Sequence, residues 1–125
     1  MAKYDKILII DDDDINNYVT TKFLRRLAIG DNIATQLDGA SALNYLKNAE
    51  TNFPRLIIVD LNMPIMDGLE FLSVYENRYW KNHKDTKLVI ITTSIREDDR
   101  TQVLKFQCVS GFLNKPVNIE NLTGL

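Results

Sequence analysis

Cysteine is nearly absent from this chain of 125 residues: Cys108 stands alone. No internal disulfide and no cysteine-based zinc site can form, and that usage fits a reducing cytosol. Cys108 itself is expected to be a small buried apolar residue. Proline and glycine are scarce too, three and five residues scattered along the whole length, so no flexible or rigid linker divides the chain. No apolar run approaches the roughly 18 residues of a membrane-crossing helix, and residues 1–6 lead into an apolar stretch too brief for a signal-peptide core. An excess of one charge sign is also missing: 15 Lys plus Arg face 17 Asp plus Glu, a formal charge of −2. With no local basic patch either, direct nucleic acid binding is not expected. These absences predict a single domain over residues 1–125, neither secreted nor membrane-inserted, in the cytoplasm.

What is there is a regular alternation. Ile7-Leu8-Ile9-Ile10, Leu56-Ile57-Ile58-Val59 and Leu88-Val89-Ile90-Ile91 are continuous, β-branched runs of the kind buried on both faces of a parallel sheet. Ile33-Ala34-Thr35-Gln36-Leu37 and Gly111-Phe112-Leu113-Asn114 are less apolar and suit sheet edges. Between them lie segments of helical period. Ile15, Val19, Phe23 and Leu27 make an apolar stripe, and Asp13 or Asp14 can cap the helix that carries it. Asp38 stands as an N-cap before Ala42, Leu43 and Leu46. Gly68 to about Trp80 carries Leu69, Leu72 and Tyr75, and Asp67-Gly68 reads as a turn into its N-terminus. Glu97 to Phe106 opens with three acids, where a helix dipole favours them. A last short helix runs from Ile119 to Leu122. The pattern is βα repeated five times, an α/β architecture with a five-stranded parallel sheet flanked by helices on both faces.

In such sheets ligands bind at the carboxyl ends of the strands. Asp11, Asp12, Asp13 and Asp14 follow the first run, and Asp60 and Asn62 follow the third. Four successive acids repel one another unless a cation or a helix end relieves them. If the first and third strands are neighbours, Asp11, Asp12 and Asp60 converge as a hard-cation site. Thr92, Thr93 and Ser94 follow the fourth run and Lys115-Pro116 the fifth. Acids, a hydroxyl and an ammonium at one sheet edge suit a phosphoryl group held near a carboxylate with a divalent cation.

Four segments in this order, Ile9-Ile10-Asp11-Asp12, Val59-Asp60-Leu61-Asn62-Met63-Pro64-Ile65-Met66-Asp67-Gly68, Ile91-Thr92-Thr93-Ser94 and Gly111-Phe112-Leu113-Asn114-Lys115-Pro116, give the chain its likeness. It resembles, over essentially its whole length, the receiver domain of bacterial two-component response regulators, a single domain of the chemotaxis-receiver kind, whether it stands alone or belongs to a larger protein. The resemblance implies a flavodoxin-like (βα)5 fold and a signalling domain rather than an enzyme. Asp60 is then the phosphoacceptor for a sensor histidine kinase or a histidine phosphotransfer protein, with an unidentified protein target downstream. Mg2+ is the implied cofactor, held by Asp11, Asp12, Asp60 and the backbone carbonyl of Asn62. Lys115 is implied to pair with the phosphoryl oxygens, beside a Pro116 often in the cis form. Thr92 and Phe112 form the implied switch, the hydroxyl moving onto the phosphoryl group and the ring turning into the vacated space. Asn62 and Ser94 occupy the positions that tune autodephosphorylation.

The chain departs from that pattern in places. Thr93 is larger than the residue many receivers carry there, which predicts narrower access to the site. Cys108 stands near a helix end where glycine is common, which predicts a different loop before the last strand. The segment from Glu76 to Thr86 is long and polar, predicting an extended helix or loop with His83 exposed to solvent. The final helix is short or truncated. A haloacid-dehalogenase-like Mg2+ phosphohydrolase also places an Asp after a strand, but it needs a second acid where Asn62 stands. A nucleotide or flavin module would need a glycine-rich phosphate loop that the chain lacks. An interaction module working without phosphorylation would be expected to miss one of Asp11, Asp12, Asp60, Thr92 or Lys115, and all are present.

Overall fold

Unbroken β-branched runs are most stable where both faces of a strand are covered, and the three such runs occupy the middle of one sheet. The computed structural model describes residues 3–93 and 97–125. Its strands are β1 (Ile7–Ile10), β2 (Ile33–Gln36), β3 (Leu56–Asp60), β4 (Lys87–Thr92) and β5 (Gly111–Asn114), in the order β2-β1-β3-β4-β5. All the pairings are parallel. The two less apolar strands take the edges as expected, and every residue of β1 and β3 is buried. The first and third strands are neighbours, with Ile10 opposite Val59. That register brings the residues after β1 and the end of β3 side by side.

Helices α1 (Asp14–Arg26), α2 (Gly39–Lys47), α3 (Gly68–Arg78), α4 (Glu97–Leu104) and α5 (Ile119–Leu122) complete the five repeats. Three of them start on an aspartate cap. Asp13 accepts from the N–H groups of Ile15 and Asn16, and Asp38 from that of Ser41. Asp67 and Glu70 form a reciprocal capping box. Alternation along the strands separates two cores. Leu8, Ile10, Ile57, Val59 and Ile90 face Ala42, Leu46, Phe71, Leu72, Tyr75 and Val103 of α2, α3 and α4. Ile7, Ile9, Leu56 and Ile58 face Leu24 of α1 and Leu122 and Leu125 at the end of the chain.

The apolar stripe of α1 is not its buried face. Steps of four residues overshoot a turn by roughly 40°, so a stripe at that spacing winds around the helix. Ile15 is 75% exposed, Val19, Phe23 and Leu27 are half-buried, and the inward face is Asn17, Thr20 and Leu24. After α3 the chain makes a single 3-10 turn, Trp80–Asn82. His83 is not exposed as expected but half-buried, its ring stacked on Phe53 with centroids 3.7 Å apart and planes 9° apart. Phe53 precedes β3, so only the fold brings it there.

Cys108 is buried as expected, and burial pushes its thiol up to about 12. It does not adopt a left-handed conformation; among described residues other than glycine, only Ala28 and Ile65 do. The loop it belongs to is instead anchored by Glu76, whose carboxylate accepts the Cys108 N–H at 2.9 Å. No described helix is long and apolar enough to cross a membrane.

Candidate functional site

Most of the described residues predicted to act stand at the carboxyl edge of the sheet, and several of them meet there. Asp11 follows β1, its N–H bonded to the Gln36 carbonyl of neighbouring β2 at 3.0 Å. Asp60 is the last residue of β3 and Thr92 the last of β4, and all three are buried. Lys115 follows β5 and is fixed to β4 by its own N–H, which donates to the Thr92 carbonyl at 2.8 Å. The Lys115-Pro116 peptide is cis.

Gly68 keeps the start of α3 tight against this edge. A Cβ there would stand 2.7 Å from the Asp60 carbonyl oxygen and 2.7 Å from the Cα of Leu61. Both are backbone atoms that cannot turn aside, so any side chain would push α3 away from the site. Met66 packs against Gly39, and Met63 is buried in the core beneath the loop.

The Lys115 ammonium bridges two carboxylates, 2.9 Å from Asp11 Oδ2 and 3.0 Å from Asp60 Oδ2. Burial alone would push the ammonium down, but Asp11 and Asp60 together outweigh it and hold it above its ordinary value. Asp60 is raised above the usual carboxylate range. Burial is the main cause and the Asp11 charge adds to it, against the Lys115 hydrogen bond and the Asn62 N–H. That N–H donates to Asp60 Oδ1 at 3.2 Å, while the Asn62 residue is exposed.

Asp12 is exposed, and one oxygen each of Asp11, Asp12 and Asp60 lie within 4.8 Å of one another. Three convergent carboxylates, one open to solvent, are the hard-oxygen donor set that a divalent cation takes while keeping several waters. The set fits such a cation. A buried carboxylate, a cluster of acids able to take a cation and a fixed ammonium then lie together at one edge of the sheet.

The other predicted residues stand around this centre. Phe112 is the second residue of β5 and half-buried, with the Arg100 guanidinium 5.6 Å from its ring centroid. Ile90 lies opposite Phe112 and Thr92 opposite Asn114. Alternation therefore places Phe112 and Thr92 on the same face of adjacent strands. Thr93 is exposed. Ser94 lies outside the described residues.

Two asparagines escaped the sequence reading. Asn16 donates its amide to Asp11 Oδ2 at 2.6 Å, and Asn17 donates to the Asp11 backbone carbonyl at 2.9 Å. An amide one turn into a helix that follows an acidic strand end is the only signal the sequence carries for either.

Comparison with known proteins agrees with the geometry. The family model for the response regulator receiver domain matches residues 7–125. A probable methanogenesis regulatory protein, FilR2 of Methanothrix harundinacea, is 29% identical over 119 residues, covering 93% of this chain and 75% of that protein. Four further relatives, which include histidine kinases and ethylene receptors, are far longer, and the chain spans only 3% to 15% of them. Among solved structures, a two-component response regulator from Cytophaga hutchinsonii superposes with a TM-score of 0.88 at 24% identity, covering 97% of this chain and 92% of the other. The Mn2+-bound form of response regulator Rcp1 superposes at 0.78 with 27% identity, covering 96% and 87%.

Proposed function

The chain belongs to the response regulator receiver domain family, a signalling rather than a classical enzymatic family, and on that premise we propose that Asp60 is its phosphoacceptor. The donor is a phosphohistidine on a sensor histidine kinase or a histidine phosphotransfer protein. A cytoplasmic location goes with that partnership, because the ATP that charges such kinases is cytosolic. Residues 1–125 act as one receiver unit, with α5 short or truncated.

In this reading an Asp60 carboxylate oxygen attacks phosphorus in line. The O–P bond forms as the P–N bond breaks, and the departing imidazole keeps the electron pair. A carboxylate is a weak nucleophile, so the acceleration comes from placement and from neutralising the phosphoryl oxygens. Mg2+ is the proposed cation, with Asp11, Asp12, Asp60 and the Asn62 carbonyl as its protein ligands, and when bound it supplies that neutralisation. Lys115 sits between Asp11 and Asp60 and swings its ammonium onto the new phosphoryl oxygens. Thr92 then donates its hydroxyl to the phosphoryl group and Phe112 follows it inward, a two-state element biased by one added charge. The domain speeds its own phosphorylation and slow dephosphorylation, with Asn62 and Ser94 governing the approach of water. A downstream protein reads the switched face.

The observation that carries this reading is the ammonium of Lys115 bridging two buried carboxylates at the end of a central strand, beside a third carboxylate. The phosphohydrolase alternative has Asn62 where its general acid would stand. Intact mass after incubation with a small-molecule phosphodonor tests the proposal. The expected result is one added phosphoryl group that requires Mg2+ and is missing from Asp60→Asn. A gain that survives Asp60→Asn would place the acceptor elsewhere.

A further inference from the structure

Asp11 is held more firmly than a metal-ligand role alone requires. Its Oδ1 accepts the Asp13 N–H at 3.0 Å. Its Oδ2 accepts the Asn16 amide at 2.6 Å and lies 2.9 Å from the Lys115 ammonium. Its backbone carbonyl takes the Asn17 amide at 2.9 Å. Consecutive residues in the first turn of α1 therefore grip the side chain and the main chain of one aspartate. Asn16 is itself fixed, because its N–H donates to the Asp13 cap at 3.2 Å.

A carboxylate oxygen has about two lone-pair sites, and on Asp11 Oδ2 both are filled, one by Asn16 and one by Lys115. A cation that takes this oxygen must displace one of them. Lys115 is the donor that leaves, because its charge is like that of the incoming ion and because Asp60 offers it a second carboxylate. Asn16 is neutral and suffers no such repulsion. Once the ammonium has moved, the Asn16 amide is the described side chain still bonded to Oδ2, and it acts together with the Asp13 N–H on Oδ1 to fix the carboxylate.

Building on the Mg2+ reading above, we propose that Asn16 is a positioning residue that sets cation affinity through Asp11 without touching the cation. Hydrogen-bond partners of ligating carboxylates act in this way, and their loss costs about tenfold or more in metal affinity.

The test is calorimetric titration of the full chain with magnesium chloride alone, for wild type, Asn16→Ala and Asn16→Gln, next to urea unfolding of each without magnesium. The expected result is about tenfold weaker binding by Asn16→Ala with little change in the urea midpoint, and partial recovery in Asn16→Gln, which keeps the amide donor. The phosphorylation rate of Asn16→Ala should return to within about twofold of wild type at saturating magnesium, since the defect lies in affinity. A general loosening of α1 would lower the urea midpoint and leave the rate depressed at saturation, and that result overturns the proposal. Equal affinity in wild type and Asn16→Ala overturns it too. Tighter binding by Asn16→Ala would mean that Asn16 is the donor displaced, the reverse of the proposal. A wild-type chain that binds no magnesium removes the cation reading itself, together with this one.

Discussion

On the two faces of the sheet the buried side chains are almost all apolar, whereas at its carboxyl edge Asp11, Asp60 and Thr92 are buried and two of them are acids. The faces are where folding gains free energy, each fully buried Leu, Ile, Val or Phe contributing about 1.5–3 kcal/mol. The edge is where like charges are forced together with one ammonium between them. A buried pair of this kind is weak evidence for stability, because removing charge from water offsets much of the attraction gained. The two regions share strands, so the rigid faces set the distances that the edge needs. Val59 and Asp60 are adjacent in β3, one packing the core and the other paired with Lys115 at the edge.

The largest effect should come from emptying a face. Phe71 is fully buried between α2, α3 and the sheet. Phe71→Ala should lower the unfolding free energy by about 3–5 kcal/mol, measured by urea denaturation. Magnesium affinity of the folded fraction should stay within about twofold of wild type, since Phe71 packs in the core and is not among the acidic residues of the edge. A large loss of affinity at unchanged folded fraction would break the separation between faces and edge.

Much of this division was legible in the sequence, and what was not has a common cause. Continuous β-branched runs announce strands, and Asp13, Asp38 and Asp67 announce helix starts, because both signals are local. The position of Asp11, Asp12, Asp60 and Lys115 follows from the rule that parallel α/β sheets present their strand ends together. The buried face of α1 did not follow, because it includes Asn17 and Thr20, polar residues that apolar counting passes over. The Phe53–His83 stack and the Glu76–Cys108 bond join residues 30 and 32 apart, and no periodicity reports such pairs. Asn16 lies beside one motif and Ile65 within another, but both owe their roles to geometry, one to a hydrogen bond and the other to a backbone angle.

A smaller effect, of opposite sign, should come from discharging the edge. Asp60 is held above the usual carboxylate range, mainly by burial and then by Asp11. A carboxyl group raised in this way binds a proton more readily folded than unfolded, so stability falls as pH rises from the unfolded value, near 4, through the folded one. Asp60→Asn removes that loss while keeping an oxygen that can accept from Lys115. The variant should therefore be more stable than wild type at neutral pH without magnesium. The gain should be complete above the folded value and disappear as pH falls below about 4, where wild-type Asp60 is protonated in both states. Urea unfolding across that range reads it directly. A gain that is independent of pH would assign the strain to packing and not to charge.

The smallest effect concerns the loop between β3 and α3, where Ile65 has φ 68° and is 82% exposed. A β-branched side chain in the left-handed region is a true outlier, worth roughly 1 kcal/mol or more, and here no burial of the side chain offsets it. The conformation is dictated from both ends. Asp67 caps α3, and the Gly68 N–H donates to the Leu61 carbonyl at 2.9 Å, so the intervening residues must fold back within a few steps. Ile65→Asn, which tolerates that conformation, should raise the urea midpoint by an amount equivalent to about 1 kcal/mol. It should leave magnesium affinity unchanged, since the angle is already the one the loop adopts. If affinity shifts with stability, then the strain at Ile65 acts on the placement of Asp60 and the edge is less rigidly set by the faces than the comparison holds.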